Sequence, residues 1–130
     1  MKAWFTAFAP AAAWAAVLFL LSSRESIGLD LSSGLDKVAH FGAYLVLGGL
    51  LARAAIRLGL PAWVPVLLGI AYGFSDEFHQ SFVPGRTATF GDLAADGLGT
   101  LAGVILYLYF LRRRVSRTSS APAAALNGSA

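Results

Sequence analysis

Residues 72 to 96 read YGFSDEFHQSFVPGRTATFGDLAAD and lie between two strongly apolar segments. This stretch holds four of the seven acidic residues, one of the two histidines, and Arg86, the only arginine between Arg57 and Arg112. Ionisable groups next to a hydrocarbon phase are costly unless they are paired or functional. This polar hairpin is therefore the first candidate for a functional site.

The composition predicts a membrane protein with one compact unit. Of the 130 residues, 57% are hydrophobic and only 13% are charged, which is too apolar for a small soluble domain. There is no cysteine, so disulfide and thiol chemistry are excluded. The basic residues do not form a patch interleaved with aromatics, so we expect no nucleic-acid partner. Their uneven placement along the chain indicates anionic lipid head groups instead.

Four apolar segments have the length of a membrane span, which requires about 20 mostly apolar residues. They cover residues 4 to 21, 38 to 56, 61 to 80 and 92 to 111. The polar residues after the first segment make a poor cleavage site, so we interpret it as a retained span and not as a signal peptide. The third and fourth reach full length only by including acids of the hairpin. We predict an all-α transmembrane bundle of four helices over residues 1 to 115.

Lysine and arginine near the span ends predict the orientation of the bundle. If the N-terminus is cytoplasmic, seven basic residues lie inside, three lie outside, and all seven acids lie outside. We therefore expect a multi-pass protein with both termini in the cytoplasm. Residues 116 to 130 are rich in Ser, Ala and Pro and are predicted to form a disordered cytoplasmic tail.

Gly-x-x-x-Gly motifs at residues 69 to 73 and 99 to 103 predict close helix packing in the third and fourth spans. On each span the glycine face continues into the acids of the hairpin, so we expect these two faces to pack together. The second span carries Asp36, His40 and Tyr44 along one stripe. The polar ends of the second, third and fourth spans should then converge on one cavity at the outer face.

Two of the acids have a structural explanation. Asp36 follows Ser33, and Asp92 follows Thr89, at the spacing of a capping box, where an acid also suits the helix dipole. Capping and a role in the site therefore both remain open for these two acids. Asp96 lies a full turn further into its helix, where capping does not account for it.

Asp76 and Glu77 lie at the C-terminal end of the third span, where acids are unfavourable. Arg86 is the expected counter-ion for one of them, and a structural salt bridge is the simplest alternative to a functional role. Arg86, even with Lys37, cannot neutralise these two acids together with those of the fourth span. Some of the carboxylates should share a proton or bind a cation, so we predict that Asp76 and Glu77 are functional.

The histidines allow two interpretations. His40 beside Asp36 or Asp76 would have the orienting carboxylate that a general acid or base requires. His40, His79 and Asp76 could instead bind a divalent ion. Because no histidine-rich motif or zinc signature is present, we predict no metal and no cofactor, with these three residues as the alternative.

Three motifs occur in order: DKVAHFGAYLVLG from Asp36, DEFHQSFVPGR from Asp76 and DLAADGLGTLAG from Asp92. Together they resemble the VanZ-like family of small multi-span bacterial membrane proteins, named after an accessory protein associated with lowered susceptibility to teicoplanin. The resemblance implies a location in the bacterial inner membrane. Carried over by position, the motif residues of the family are Asp36, Lys37, His40, Tyr44, Asp76, Glu77, Gln80, Arg86, Asp92, Gly99 and Gly103.

The chain departs from this resemblance at one position. Many relatives have Asn where this chain has Asp96, which indicates that a charge at this position is not essential. We therefore predict that Asp76, Glu77 and His40 are the acid/base groups. Most relatives occur outside resistance clusters, so a resistance role does not follow from the resemblance.

The predicted function is to bind or act on a lipid-linked or amphipathic cell-envelope molecule. Asp76, Glu77 and His40 are the predicted acid/base groups, and Lys37 and Arg86 are predicted to hold an anionic head group. The other predicted binding residues are Gln80, Asp36, Tyr44, Asp92 and Asp96.

The alternatives are a non-catalytic envelope-binding protein and a proton-linked carrier, and a carrier of four spans would need to form a homo-oligomer. Whether the protein is an enzyme stays open. The expected partners are membrane lipids and a lipid-linked cell-wall precursor.

Overall fold

The described part of the chain folds into four α-helices. The computed structural model describes residues 1–24, 33–86 and 89–119, and no strand occurs in these ranges. The helices are α1 (Lys2–Ser22), α2 (Ser33–Arg57), α3 (Trp63–Gln80) and α4 (Phe90–Ser119). The all-α prediction is confirmed.

Three of the helices are long and apolar enough to cross a membrane, namely α1, α2 from Gly34 and α4 as far as Arg117. The protein is therefore a helical membrane protein. At 18 residues α3 is about 27 Å long, close to the thickness of a bilayer core. It is not among the three, and its C-terminal end contains the buried polar residues Asp76, Glu77 and Gln80.

The last helix is longer than the predicted span. Helix α4 continues past residue 111 to Ser119, so residues 116 to 119 of the predicted disordered tail are helical. Residues 120 to 130 lie outside the described part of the chain.

Successive helices run in opposite directions, which places the C-termini of α1 and α3 beside the N-termini of α2 and α4. We call this end of the bundle the polar end. At the other end, α2 closes with a Schellman motif, in which Gly59 has a φ of +67° and the Leu60 N–H donates to the Ala55 carbonyl at 2.8 Å. Arg53, Arg57 and the arginines from residue 112 onward belong to that opposite end.

The most extensive packing in the bundle is between α2 and α4. A methyl group added at Gly99 or Gly103 would collide with the carbonyl oxygens of Phe41 and Leu45, and one added at Gly48 would collide with that of Thr100. The prediction that the α4 glycines face α3 is therefore wrong. They face α2, because α2 supplies Gly48 and the two backbones can approach closely.

The glycine face of α3 does pack on α4, as predicted. Gly69 lies against the side chain of Thr100, and a methyl group at Gly73 would come within 3.2 Å of the Asp96 Cβ. Because Gly73 has no side chain, there is room for the Asp96 carboxylate between the three helices.

Helix α1 is held by two hydrogen bonds that cross the apolar part of the bundle. The Trp14 Nε1–H donates to the Ala43 carbonyl of α2 at 2.9 Å, and the Tyr72 hydroxyl of α3 donates to the Ala15 carbonyl at 2.6 Å. The buried apolar cluster beneath them consists of Ala11, Leu18, Tyr44, Leu47 and Leu51. These contacts place α1 along one side of the polar end.

Candidate functional site

Polar side chains from α3 and α4 are buried together at the polar end. Each is at most 8% exposed, in a chain with an apolar exterior. They are Asp76, Glu77, Gln80, Asp92 and Asp96. The structure thus brings the acids of the polar hairpin together, and α2 adds Lys37, His40 and Tyr44.

His40 and Asp96 form the central contact of this cluster. The His40 Nδ1 and the Asp96 Oδ1 are 2.9 Å apart, and Asp96 has no solvent exposure. The carboxylate that orients His40 is Asp96 and not Asp36 or Asp76, although Asp36 lies within 4.8 Å of His40. Asp96 shares a helix face with Gly99 and Gly103, and that face lies on α2, so the glycines that draw the two helices together also place Asp96 beside His40.

Asp76 belongs to a second network, on the α1 side. Its Oδ2 accepts hydrogen bonds from the Tyr44 hydroxyl at 3.3 Å and from the Gln80 Nε2 at 3.2 Å. Its Oδ1 is buried and has no hydrogen-bond partner among the described residues. Tyr44 and Gln80 thus hold one oxygen of Asp76 and leave the other for a further partner.

Glu77 has a structural role that its position in the sequence does not reveal. Its Oε2 accepts a hydrogen bond from the Thr89 N–H at 3.1 Å, at the start of α4. Its Oε1 is buried and has no hydrogen-bond partner within the described ranges. Glu77 therefore links the end of α3 to the beginning of α4 with one oxygen only.

Asp92 combines capping with an ion pair. The Thr89 Oγ1 accepts a hydrogen bond from the Asp92 N–H at 3.2 Å, which is the N-cap half of a capping box. The same hydroxyl donates to the Asp92 Oδ2 at 2.6 Å. The Lys37 Nζ lies 3.3 Å from the Asp92 Oδ1. Lys37 is therefore engaged by Asp92. The Ser33 side chain lies outside what the structure describes, so a capping role for Asp36 stays a prediction.

Arg86 does not pair with an acid of α3, contrary to the expectation. Its Nε and Nη2 donate to the carbonyl oxygens of Arg24 and Leu21 at 3.5 and 3.4 Å, and no ion pair joins it to Asp76 or Glu77 in the part of the chain that is described. The last carbonyls of a helix lack partners within the helix and carry a partial negative charge. The C-terminal end of α1 therefore attracts this guanidinium.

A cavity of about 260 Å³ lies between α1, α2 and α3 at the polar end. Leu18 and Leu21 of α1 form an apolar wall. Six of the predicted site residues line the cavity, namely Asp36, His40, Tyr44, Asp76, Gln80 and Arg86. The other four, Lys37, Glu77, Asp92 and Asp96, do not line it and belong to the contacts of α2 and α3 with α4.

The alternative metal set of His40, His79 and Asp76 is not assembled. The His79 Nε2 is 2.9 Å from the Ser23 Oγ, and its ring stacks on Phe19 with centroids 4.4 Å apart. His79 therefore faces α1, away from His40. Two other groups bring donor atoms within 4.8 Å of one another: Asp36, His40 and Asp92, and His40, Glu77 and Asp96.

Sequence reasoning missed several residues that support the site. Thr89 was identified as a cap for Asp92 but not as the donor to Glu77. The Trp14 indole donates to Ala43, and because the N–H of a buried or half-buried indole usually finds an acceptor, its place in the first span is a signal that could have identified it. Nothing in the local sequence marks the Ser23 contact to His79.

The fold and its buried polar end define a class: a small helical membrane protein with an ionisable site at one end of the bundle. A family model described as VanZ/LLP1 matches residues 3–112, and the chain belongs to this family. The match confirms the resemblance found in three sequence motifs and extends it over α1. No curated protein and no solved structure matches the chain.

Proposed function

We propose that this protein binds, at its polar end, the head group of a lipid-linked or amphipathic cell-envelope molecule. In this proposal the bundle lies in the bacterial inner membrane with both termini in the cytoplasm and the polar end outside, in line with the distribution of basic residues. The observation that carries the proposal is the cavity between α1, α2 and α3, which has an apolar wall on one side and ionisable groups on the other.

A second, apolar cavity supports an amphipathic ligand. It measures about 240 Å³ and lies one turn further along the same three helices, where Ala15, Leu47 and Tyr72 replace Leu18, Tyr44 and Asp76 in the lining. Its remaining lining is Phe8, Ala11, Ala12, Leu51 and Leu68. A molecule with its head in the polar cavity would lay its hydrocarbon chain along this second cavity.

The lining of the polar cavity indicates the chemistry of the head group. Asp36 and Asp76 are acceptors that suit hydroxyl or amine donors. Among the described residues, Arg86 is the one lysine or arginine in the lining, and it suits a single anionic group. Lys37 is engaged by Asp92 and does not add to the cavity. A head group that carries hydroxyls or an amine beside one acidic group therefore fits better than a bare phosphate.

An enzymatic version of this function rests on the His40–Asp96 pair. A carboxylate bound to one imidazole nitrogen orients the ring, so the other nitrogen can exchange a proton with a ligand. His40 lines the cavity while Asp96 lies behind it. In this version Asp76 positions the head group. In the binding version the same contacts hold an envelope precursor without converting it, so that other molecules cannot reach it. Either version would alter susceptibility to a glycopeptide such as teicoplanin.

Mass spectrometry of co-purifying lipids tests the proposal. The wild-type protein should retain an amphipathic species that is enriched over the bulk membrane lipids. Asp76→Asn and Arg86→Gln should lose this species, because each changes a polar group of the cavity. The control variant Arg57→Gln, at the opposite end, should keep it. Equal lipid profiles for all four proteins would refute a head-group site.

A second measurement separates enzyme from binder. If His40 exchanges a proton with the ligand, His40→Gln should still retain the enriched species but should not convert it when the purified protein is incubated with envelope lipid extract. If wild type and His40→Gln both leave the species unchanged, the enzymatic version is refuted.

A further inference from the structure

The acids of the polar end are not balanced by the cations around them. Two ion pairs occur there among the described residues, Lys37 with Asp92 and His40 with Asp96. Glu77 is 8% exposed, lies at the C-terminal end of a helix, and belongs to neither pair. Burial and the helix dipole both disfavour a carboxylate in this position unless a cation or a proton joins it.

Two buried carboxylate oxygens beside His40 have no hydrogen-bond partner among the described residues. The Glu77 Oε1 and the Asp96 Oδ2 are buried, have no hydrogen-bond partner within the described ranges, and belong to side chains more than nine-tenths buried. Buried polar atoms are nearly always hydrogen-bonded, so two such oxygens in one cluster need an explanation.

The geometry suits one small cation. His40, Glu77 and Asp96 come from three different helices, and each places a donor atom within 4.8 Å of the other two. Ligands about 2.1 Å from an ion lie roughly 3 Å apart when adjacent and roughly 4 Å apart when opposite. The His40 Nδ1 and the Asp96 Oδ1 are 2.9 Å apart, so an ion bound by both would take the place of the hydrogen bond between them.

We propose that His40, Glu77 and Asp96 bind a divalent transition-metal ion. One imidazole and two carboxylates suit ions such as Zn²⁺ and Mn²⁺, and the imidazole makes Ca²⁺ and Mg²⁺ a poorer match. The site joins α2, α3 and α4 behind the cavity and would neutralise the carboxylate of Glu77. It goes beyond the proposed head-group binding, which requires no ion, and it accompanies the binding version, because an ion on the His40 Nδ1 replaces the hydrogen bond to Asp96 that the enzymatic version uses.

Direct metal analysis tests this site. The full-length protein in detergent is equilibrated with Zn²⁺ or Mn²⁺ alone, freed of unbound ion by gel filtration, and analysed by inductively coupled plasma mass spectrometry. We expect one ion per chain in the wild type. Glu77→Gln, which removes a charged ligand at constant size, should lower the affinity at least about tenfold. The matched control His79→Gln, which changes the histidine that faces α1, should bind as the wild type does.

Thermal unfolding gives an independent measurement if Glu77→Gln fails to accumulate. An ion that binds only the folded protein raises Tm with its concentration, so Zn²⁺ or Mn²⁺ should raise the Tm of both the wild type and His79→Gln. A wild type that retains no ion and shows no ion-dependent Tm overturns the proposal and leaves a shared proton as the explanation. Equal loss of binding in His79→Gln, or full binding in Glu77→Gln, also overturns it.

Discussion

Replacing Gly103 with alanine should loosen the polar end from two turns away. The added methyl group would collide with the carbonyl oxygen of Leu45 and lie 2.9 Å from the amide nitrogen of Gly49. Both obstacles are backbone atoms of α2, so no side-chain rotation can relieve the collision. Helix α4 has to move away from α2.

The size of the effect follows from these contacts. Ordinary carbon contacts are about 3.5 to 4.0 Å, so relieving the 2.9 Å contact with Gly49 alone separates the backbones by roughly 0.5 to 1 Å, and the collision with the Leu45 carbonyl requires more. Overpacking of this kind costs about 1 to 3 kcal/mol. If the shift reaches Asp96, its distance to His40 grows from 2.9 Å to beyond hydrogen-bond distance. The protein then loses roughly a further 1.5 to 3 kcal/mol of its free energy of unfolding.

Gly97 provides a matched control on the same helix. A methyl group there meets nothing within 4 Å, so Gly97→Ala should gain up to about 1 kcal/mol from helix propensity alone. The assay is reversible unfolding by SDS in mixed micelles, compared among wild type, Gly103→Ala and Gly97→Ala. Because helix propensity favours alanine equally at both positions, we expect Gly103→Ala to be at least about 1 kcal/mol less stable than Gly97→Ala. Equal stability of the two variants would refute the close approach of α2 and α4.

Three further substitutions test single contacts by the same unfolding assay. Thr89→Val removes the side-chain cap of α4 and should cost about 1 to 2 kcal/mol, and an unchanged stability would show that Asp92 N–H does not need it. Tyr72→Phe removes the hydrogen bond to the Ala15 carbonyl and should cost about 1 kcal/mol, whereas no loss would mean that α1 is held by apolar packing alone. Lys37→Met should cost more than about 1 kcal/mol because it leaves Asp92, whose side chain is only 4% exposed, without its cation, and an unchanged stability would show that the hydrogen bond from Thr89 is enough for Asp92.

Much of the fold could be predicted because each helix carries its own signal. The apolar segments predicted the four helices, and the acids that follow Tyr72 predicted which end of the bundle is polar. The partners of the glycine faces could not be predicted in the same way. The spacing of Gly99 and Gly103 indicates that some helix approaches closely, but its partner is selected by Gly48 on a distant segment.

The same limit applies to the site. The sequence placed His40, Asp76 and Glu77 in one region, because their helices all end there. It paired His40 and Arg86 with the wrong groups, since the actual partners are Asp96, fifty-six residues away, and the terminal carbonyls of α1. Such pairings depend on helix rotation, and a shift of one residue turns a helix by about 100°.

Photo-crosslinking from the cavity tests the central claim most directly. A photoreactive phenylalanine derivative is placed at Leu21, which lines the cavity and is 50% exposed, or at Phe110, which is 59% exposed near the opposite end. After irradiation in native membranes, mass spectrometry identifies the adducts. We expect Leu21 to capture an amphipathic species distinct from the bulk phospholipid, with the capture lost in Asp76→Asn, and Phe110 to capture only bulk phospholipid. The same bulk lipid at both positions, unchanged by Asp76→Asn, would contradict the claim that the polar end is a binding site.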